Sequence, residues 1–384
     1  MLRGVFRTAA VAAVVLGTSV IGWSSASSAT SPAGGLQPGQ SAGQGGGQVA
    51  SSTGFTPSAK EWLLADAGNG RVLAASGDHL PVRPASVAKI ITAYLVMKSL
   101  PADATVPVGP DAAGEEPMKI NMQAGQVWPL DQALHALLMV SANDAAVALA
   151  DRVSGSPAAF GRLAVKVASE LGATDPLVFD DPAGLDDSFE FGQGDLISAY
   201  DLAVFARVDM TIPEFRNIVD TQHYQYQGVD SQPHELPNHN RLLGMDPTVI
   251  GIKPGWTQAA GETLVTEAVR DGRTMLVILL DDNPVALYPD AESLFNEGFA
   301  IPVDQQTAVE QLPPIRTTLS AAVLAAASAG TSAAPKAVKR GPAGRPYDWR
   351  RAELVVIVGL TGSVYFRRRA VMRRRRARRG LQPV

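Results

Sequence analysis

From Val87 to Leu100 the chain runs through helix-forming residues that are apolar on nearly every face of the helix they would make. A helix of that kind cannot sit on a surface. It needs a domain wrapped around it, and this requirement constrains the fold more than any other stretch of the sequence. The 384 residues, 46% of them hydrophobic, are enough to build such a surround.

Trp62–Asp66 and Val72–Ala75 are apolar runs split by Gly68-Asn69-Gly70, a hairpin turn signal. Thr263–Arg270 and Thr274–Leu280 form a second such pair around Asp271-Gly272. Between the pairs, Leu130–Val140 and Ala145–Val153 read as helices, with Ser141–Asp144 joining them. Strands at both ends and helices between predict an α+β fold, an antiparallel sheet closed from both chain ends and packed on a helical region.

The dense sequence is bounded on both sides, which gives a predicted organisation. Residues 1–29 carry Arg3 and Arg7, an apolar stretch and a close in small residues, the pattern of an export signal; an uncleaved anchor is the other reading. Residues 30–53 are Gly, Ser and Gln with almost no large apolar side chain, and read as a flexible linker. The folded domain is expected over 54–303, followed by an Ala/Ser/Pro-rich linker over 304–350. A transmembrane anchor is expected over 351–367 and a basic cytoplasmic tail over 368–384. The apolar core of that anchor, Leu354–Phe366, is short for a bilayer, so snorkelling arginines and Trp349 would have to complete the span; an interfacial helix and a basic tail are the alternatives. With the arginines inside, the body lies outside, where the leader would send it.

Charge separates these regions. The chain totals −4, but residues 30–344 hold 19 Lys and Arg against 35 Asp and Glu. So acidic a body repels polyphosphate, which argues against nucleic acid as a ligand of the folded part. The absence of cysteine removes disulfides, thiolate metal sites and a cysteine nucleophile. The five histidines show no metal-ligating spacing, and no phosphate-binding glycine loop occurs, so neither a metal nor another cofactor is expected.

Three short motifs carry possible chemistry. Ser86 opens the apolar helix, and Lys89 follows three residues later, on the same face about one turn on. Burial would lower the lysine toward a useful base, and a serine at a helix start presents its own N–H as half of an oxyanion hole. A helix cap is the plain alternative, although Ser86 is the only serine three residues ahead of a lysine. Ser141 and Asn143 lie between two helices, either as caps or as a second hydroxyl and an orienting amide. Lys253, with Ile252 beside it and glycines at 251 and 255, reads as a surface residue or as part of a strand that a ligand or another backbone approaches closely.

Serine-x-x-lysine, serine-x-asparagine and lysine-x-glycine in this order resemble the signature of penicillin-binding proteins and serine β-lactamases. Pro84–Lys89, Ser141–Ala150, Asn238–Leu243, Gly251–Lys253, Phe179–Leu185 and Ser198–Ala203 together resemble the D-alanyl-D-alanine carboxypeptidase family, over about 59–297. The resemblance implies an antiparallel sheet flanked by helices and peptidoglycan stem peptides as substrate. It implies Ser86 as nucleophile, Lys89 as its base, and Ser141 with Lys253 as proton donors to the leaving D-alanine. Asn143 would hold Lys89 and the acyl chain, and the N–H groups of Ser86 and Trp256, next to Gly255, would hold the oxyanion. β-Lactam antibiotics would acylate the same serine. One departure stands out: where the family usually has threonine between the lysine and glycine, this chain has Pro254, and Thr257 is the candidate replacement hydroxyl for the substrate carboxylate. A serine β-lactamase or esterase is the competing enzyme reading, although no Glu-x-x-Leu-Asn lies between the second and third motifs. A wall-binding protein with a weakened site is the reading from outside enzymology.

Overall fold

The computed structural model describes residues 54–186, 194–229, 231–323 and 325. The expected leader and first linker lie outside these residues, as do the expected anchor and basic tail. Among the described residues no helix is long and apolar enough to cross a membrane.

The elements follow in chain order. The first part holds β1 (Glu61–Asp66), β2 (Arg71–Ser76), α1 (Lys89–Ser99), β3 (Thr105–Pro107), α2 (Pro110–Ala113) and β4 (Val127–Pro129). Then come α3 (Leu130–Met139), α4 (Asn143–Ser154), α5 (Pro157–Leu171), α6 (Ala199–Asp209) and α7 (Pro213–Asp220). The hairpin strands β5 (His223–Gln227) and β6 (Pro233–Pro237) lead to β7 (Val249–Thr257), β8 (Gly261–Arg270), β9 (Arg273–Asp282), α8 (Leu287–Ala300) and β10 (Glu310–Gln311).

The main sheet has six strands in the order β10-β2-β1-β9-β8-β7, each antiparallel to its neighbours. The first hairpin thus joins the last one directly, with Leu63 opposite Ile278, and the chain closes the sheet from both ends. Alternation along β1 sends Leu63 and Ala65 into the core shared with the helices, and Trp62 and Leu64 into the core under α8. Both faces are therefore covered, which explains why these strands read as continuous apolar runs.

The all-apolar helix is where its composition requires it to be. Eight consecutive residues of α1, Lys89 through Val96, are buried, and α3, α4, α5 and α6 pack around it. At roughly 1.5–3 kcal/mol for each fully buried large apolar side chain, this helix anchors the helical layer.

The folded body reaches beyond residue 303. Glu310 and Gln311 add a sixth strand against Val72 and Arg71, and Leu312 and Val323 are fully buried. Part of the expected linker thus completes the sheet edge and returns over α5, where Ser320 hydrogen-bonds Glu170. Two strand residues and isolated apolar anchors in an Ala/Ser/Pro-rich stretch offer no periodicity to read.

Candidate active site

Ser86 lies in a single 3-10 turn (Ala85–Ala88) that runs straight into α1. The preceding Ala85 has φ +50, in the left-handed region that a residue with a Cβ rarely adopts. Ser141, in the turn between α3 and α4, has φ +62. Strained backbone of this kind costs free energy and gathers at functional sites. Here it occurs at one motif serine and immediately before the other.

The Ser86–Lys89 spacing puts the two groups where the helical repeat predicts. Lys89 Nζ donates to Ser86 Oγ at 2.9 Å, to Asn143 Oδ1 at 2.8 Å and to the Ala183 carbonyl at 2.6 Å. The three acceptors come from three elements: the 3-10 turn, the first residue of α4, and the turn over 180–184. Asn143 is itself fixed, its amide donating to the Glu116 carbonyl at 3.0 Å and its backbone N–H to the Met118 carbonyl at 2.7 Å.

Lys89 is 0% exposed. Burial lowers its pKa to about 7, against the opposing pull of Asp181, Glu115, Asp195 and Asp144. A lysine at that value is half neutral near pH 7 and can accept a proton from a hydroxyl within hydrogen-bond reach.

Lys253 sits mid-strand in β7 and is also 0% exposed. Burial, then the nearby Lys89, holds it well below the ordinary lysine value. Its ammonium donates to the Pro254 carbonyl at 3.2 Å. Ser141 is buried. Burial, then the charge of Lys253, lowers the pKa of His239.

Strand β7 approaches the nucleophile turn very closely. A Cβ on Gly255 would lie 2.7 Å from Ser86 N and 3.0 Å from Val87 N, so only glycine lets the strand lie there. Thr263, opposite Gly255 on β8, donates to the Pro84 carbonyl at 2.9 Å and ties the sheet to the same turn. Next to Gly255, Trp256 is 62% exposed at the rim of the site.

Thr257 is engaged elsewhere. Its hydroxyl donates to Asp186 Oδ1 at 2.8 Å and accepts from the Ala260 N–H at 3.0 Å. To bind a substrate carboxylate it would first have to leave Asp186, so the replacement for the missing threonine hydroxyl is not free in this structure.

The structure thus brings Ser86, Lys89 and Asn143 into direct contact and packs Gly255 against Ser86. Lys253 is close enough to Lys89 to feel its charge. Sequence reasoning missed the Ala183 carbonyl, the buried Asp181 and Asp195, and Thr263. The family-like segment Phe179–Leu185, with its adjacent aspartates, was the visible hint, but aspartates in a turn are ordinarily solvated and gave no sign of burial.

Comparison with known proteins points to one family. The family model described as D-alanyl-D-alanine carboxypeptidase matches residues 48–283. The chain is similar to D-alanyl-D-alanine carboxypeptidase DacB2 of Mycobacterium tuberculosis, 31% identical over 63% of this chain and 83% of that one. It is 31% identical to DacD of Escherichia coli over 61% of this chain and 62% of the relative. Among solved structures, a penicillin-binding protein homologue from Mycobacterium tuberculosis superposes with a TM-score of 0.63 at 29% identity, covering 68% of this chain and 98% of that one. The Streptomyces K15 DD-transpeptidase gives a TM-score of 0.58 at 25% identity, covering 65% and 99%. The antiparallel sheet flanked by helices is the fold of these neighbours, and a half-buried serine bonded to a fully buried lysine suits a serine hydrolase. The chain belongs to the D-alanyl-D-alanine carboxypeptidase family.

Proposed function

We propose that this chain hydrolyses the terminal D-alanyl-D-alanine bond of peptidoglycan stem peptides through an acyl-enzyme on Ser86. The observation that carries this reading is the 2.9 Å contact between Ser86 Oγ and the ammonium of a lysine with no solvent exposure. Neutral Lys89 takes the Ser86 proton as Oγ attacks the carbonyl carbon between the two D-alanines. The N–H groups of Ser86 and Trp256 hold the oxyanion, which the approach of β7 at Gly255 favours. The tetrahedral species collapses and its C–N bond breaks as the proton held by Lys89 reaches the leaving D-alanine amine through Ser141 and Lys253, which leaves Lys89 neutral. Water then attacks the ester and gives a proton to neutral Lys89, which passes it to Ser86 Oγ as the acyl bond breaks. A β-lactam would acylate Ser86 by the same first step.

The Lys89 value of about 7 gives the pH dependence its sign: the base is neutral above that pH, so acylation rises with pH through about 7. Mass spectrometry after benzylpenicillin treatment should show one covalent adduct, lost in Ser86→Ala and kept in Ser58→Ala. An adduct that survives Ser86→Ala would sink the assignment. A stable adduct fits the peptidase, whereas rapid release would favour the β-lactamase reading.

The family acts on the wall, and we propose export through residues 1–29 and anchoring through 351–367, with the folded body on the outer face of the membrane. The apolar stretch of the leader and the nine arginines after Phe366 support this. Truncation after Arg345 should release the protein into the medium, while the full chain should stay with membranes through a high-salt wash. Release of the full chain by salt alone would mean that the arginines bind only electrostatically.

A further inference from the structure

Two carboxyl groups are buried near Lys89: Asp181, in the turn that supplies the Ala183 carbonyl, and Asp195, which hydrogen-bonds that turn from a later segment. Asp195 is 1% exposed and Asp181 2% exposed. Asp195 Oδ1 accepts from the N–H groups of Asp180 at 2.7 Å and Asp181 at 2.9 Å. Asp181 Oδ1 accepts from the Ala183 N–H at 2.7 Å, and Ala183 passes the chain of bonds on through its carbonyl to Lys89. Thr92, on α1 one turn beyond Lys89, donates to the Pro182 carbonyl at 2.8 Å and clamps the turn to the same helix. A Cβ on Gly184 would lie 2.1 Å from the Ala85 carbonyl, so the turn also presses on the nucleophile's own turn. None of these bonds involves the substrate. They serve to hold one carbonyl on one ammonium.

Asp195 Oδ1 lies 2.9 Å from the Asp181 N, and burial opposes a full charge on both of these neighbouring carboxyl groups. Burial and then Asp195 push Asp181 well above the usual carboxylate range, and burial pushes Asp195 up to about 7. The second oxygen of Asp195 has no hydrogen-bond partner among the described residues. Other charges face Lys89 from each element packed on it. Glu115 follows α2, Asp144 sits in the first turn of α4, and Lys253 comes from β7. Asp144 is already held by the N–H groups of Ile120, Met122 and Ala145.

We infer that Asp181 and Asp195 are positioning residues for Lys89. They share a single negative charge near its ammonium, hold the Ala183 carbonyl against it, and so set the pH at which Lys89 can accept the Ser86 proton. This rests on the reading of Lys89 as the base.

The test uses the full chain and the second-order rate of acylation by benzylpenicillin as a function of pH. Asparagine keeps the acceptor oxygen of each aspartate and removes only its charge. In Asp181→Asn or Asp195→Asn the surviving carboxyl takes over the shared charge, so the rising limb should move only slightly toward lower pH. In the double variant the charge is gone, and the limb should move down by roughly 1–2 pH units with the plateau rate retained. A merely structural pair would lower the plateau and leave the limb in place. A double variant whose limb coincides with that of the natural protein overturns the inference.

Should the double variant not fold, the infrared band of protonated carboxyl groups at neutral pH decides. Each single substitution should remove one protonated carboxyl, and an unchanged band in both overturns the shared charge. Lys89→Ala separates the two levels of the argument. If it acylates at the natural rate, the reading of Lys89 as base falls; if it is inactive while the double variant shows no shift, only the role of the pair falls.

Discussion

Under α8, the sheet buries Trp62, Leu64, Leu73, Leu264, Val277, Leu279 and Phe295, and two buried carboxylates, Asp282 and Asp290, are both hydrogen-bonded by Ser58. On the helical side of the same sheet, the core that holds Leu63, Val265 and Ile278 adjoins Lys89, Lys253, Asp181 and Asp195, all equally dry. One face is built as an ordinary apolar core. The other accepts the desolvation of these ionisable groups and of others such as Asp144 and Asp209, which costs stability that the surrounding apolar layers must offset. The difference separates the part of the molecule that keeps it folded from the part where burial adjusts proton affinity.

The largest effect that would sharpen this contrast comes from the apolar face. Phe295→Ala should destabilise the protein by about 3–5 kcal/mol in denaturant unfolding. The acylation rate of the remaining folded molecules should not change, because α8 and the nucleophile lie on opposite sides of the sheet. A large loss of acylation in fully folded Phe295→Ala protein would break the separation.

A smaller effect is expected at the site itself, where Pro254 offers no hydroxyl and Thr257 is held by Asp186. A hydrogen bond to a charged group contributes roughly 1.5–3 kcal/mol, so Pro254→Thr should raise kcat/KM on a D-Ala-D-Ala peptide about ten- to a hundredfold. An uncharged thioester substrate should gain less, having no carboxylate to grip. Equal gains on both would show that proline disturbs Lys253 instead. No gain on either would show that Thr257 leaves Asp186 when substrate binds.

The smallest effect is at the sheet edge. His79 contacts Asp175 at 3.0 Å and Glu310 at 2.9 Å, bridging the start of the helical layer to β10. Burial lowers its pKa, but the hydrogen bonds to Glu310 and Asp175 outweigh that and raise it overall. A raised value means that the protonated ring favours the folded state. Its contribution is fully present below the ordinary histidine value of 6.5 and is lost as pH rises through the folded one. Because the group is half exposed, His79→Ala should cost less than about 1 kcal/mol. Unfolding midpoints of the two proteins should differ most in mildly acidic buffer and converge in alkaline buffer. A difference that grows with pH would contradict the ion-pair reading.

Much of the layout was legible along the chain. Long apolar runs with turn residues at their ends identified β1, β2, β8 and β9, and the all-apolar run identified α1, since these features are local and repeat with the period of the element. The contact between Ser86 and Lys89 was legible for the same reason: three residues of helix place two side chains together whatever surrounds them. The sixth strand was not, because Glu310–Gln311 is defined only by its pairing partner.

Sequence alone therefore determined the α+β architecture, the family, and the pairing of a serine with a lysine on one helical turn. The tertiary structure decided what that lysine is. Its full burial, the two acceptors from distant segments, the carboxyl pair at Asp181 and Asp195, and the close pass of Gly255 over Ser86 N all depend on elements more than fifty residues away in the chain. Proton affinity follows the dielectric and charge of the whole surround, and no local pattern encodes it.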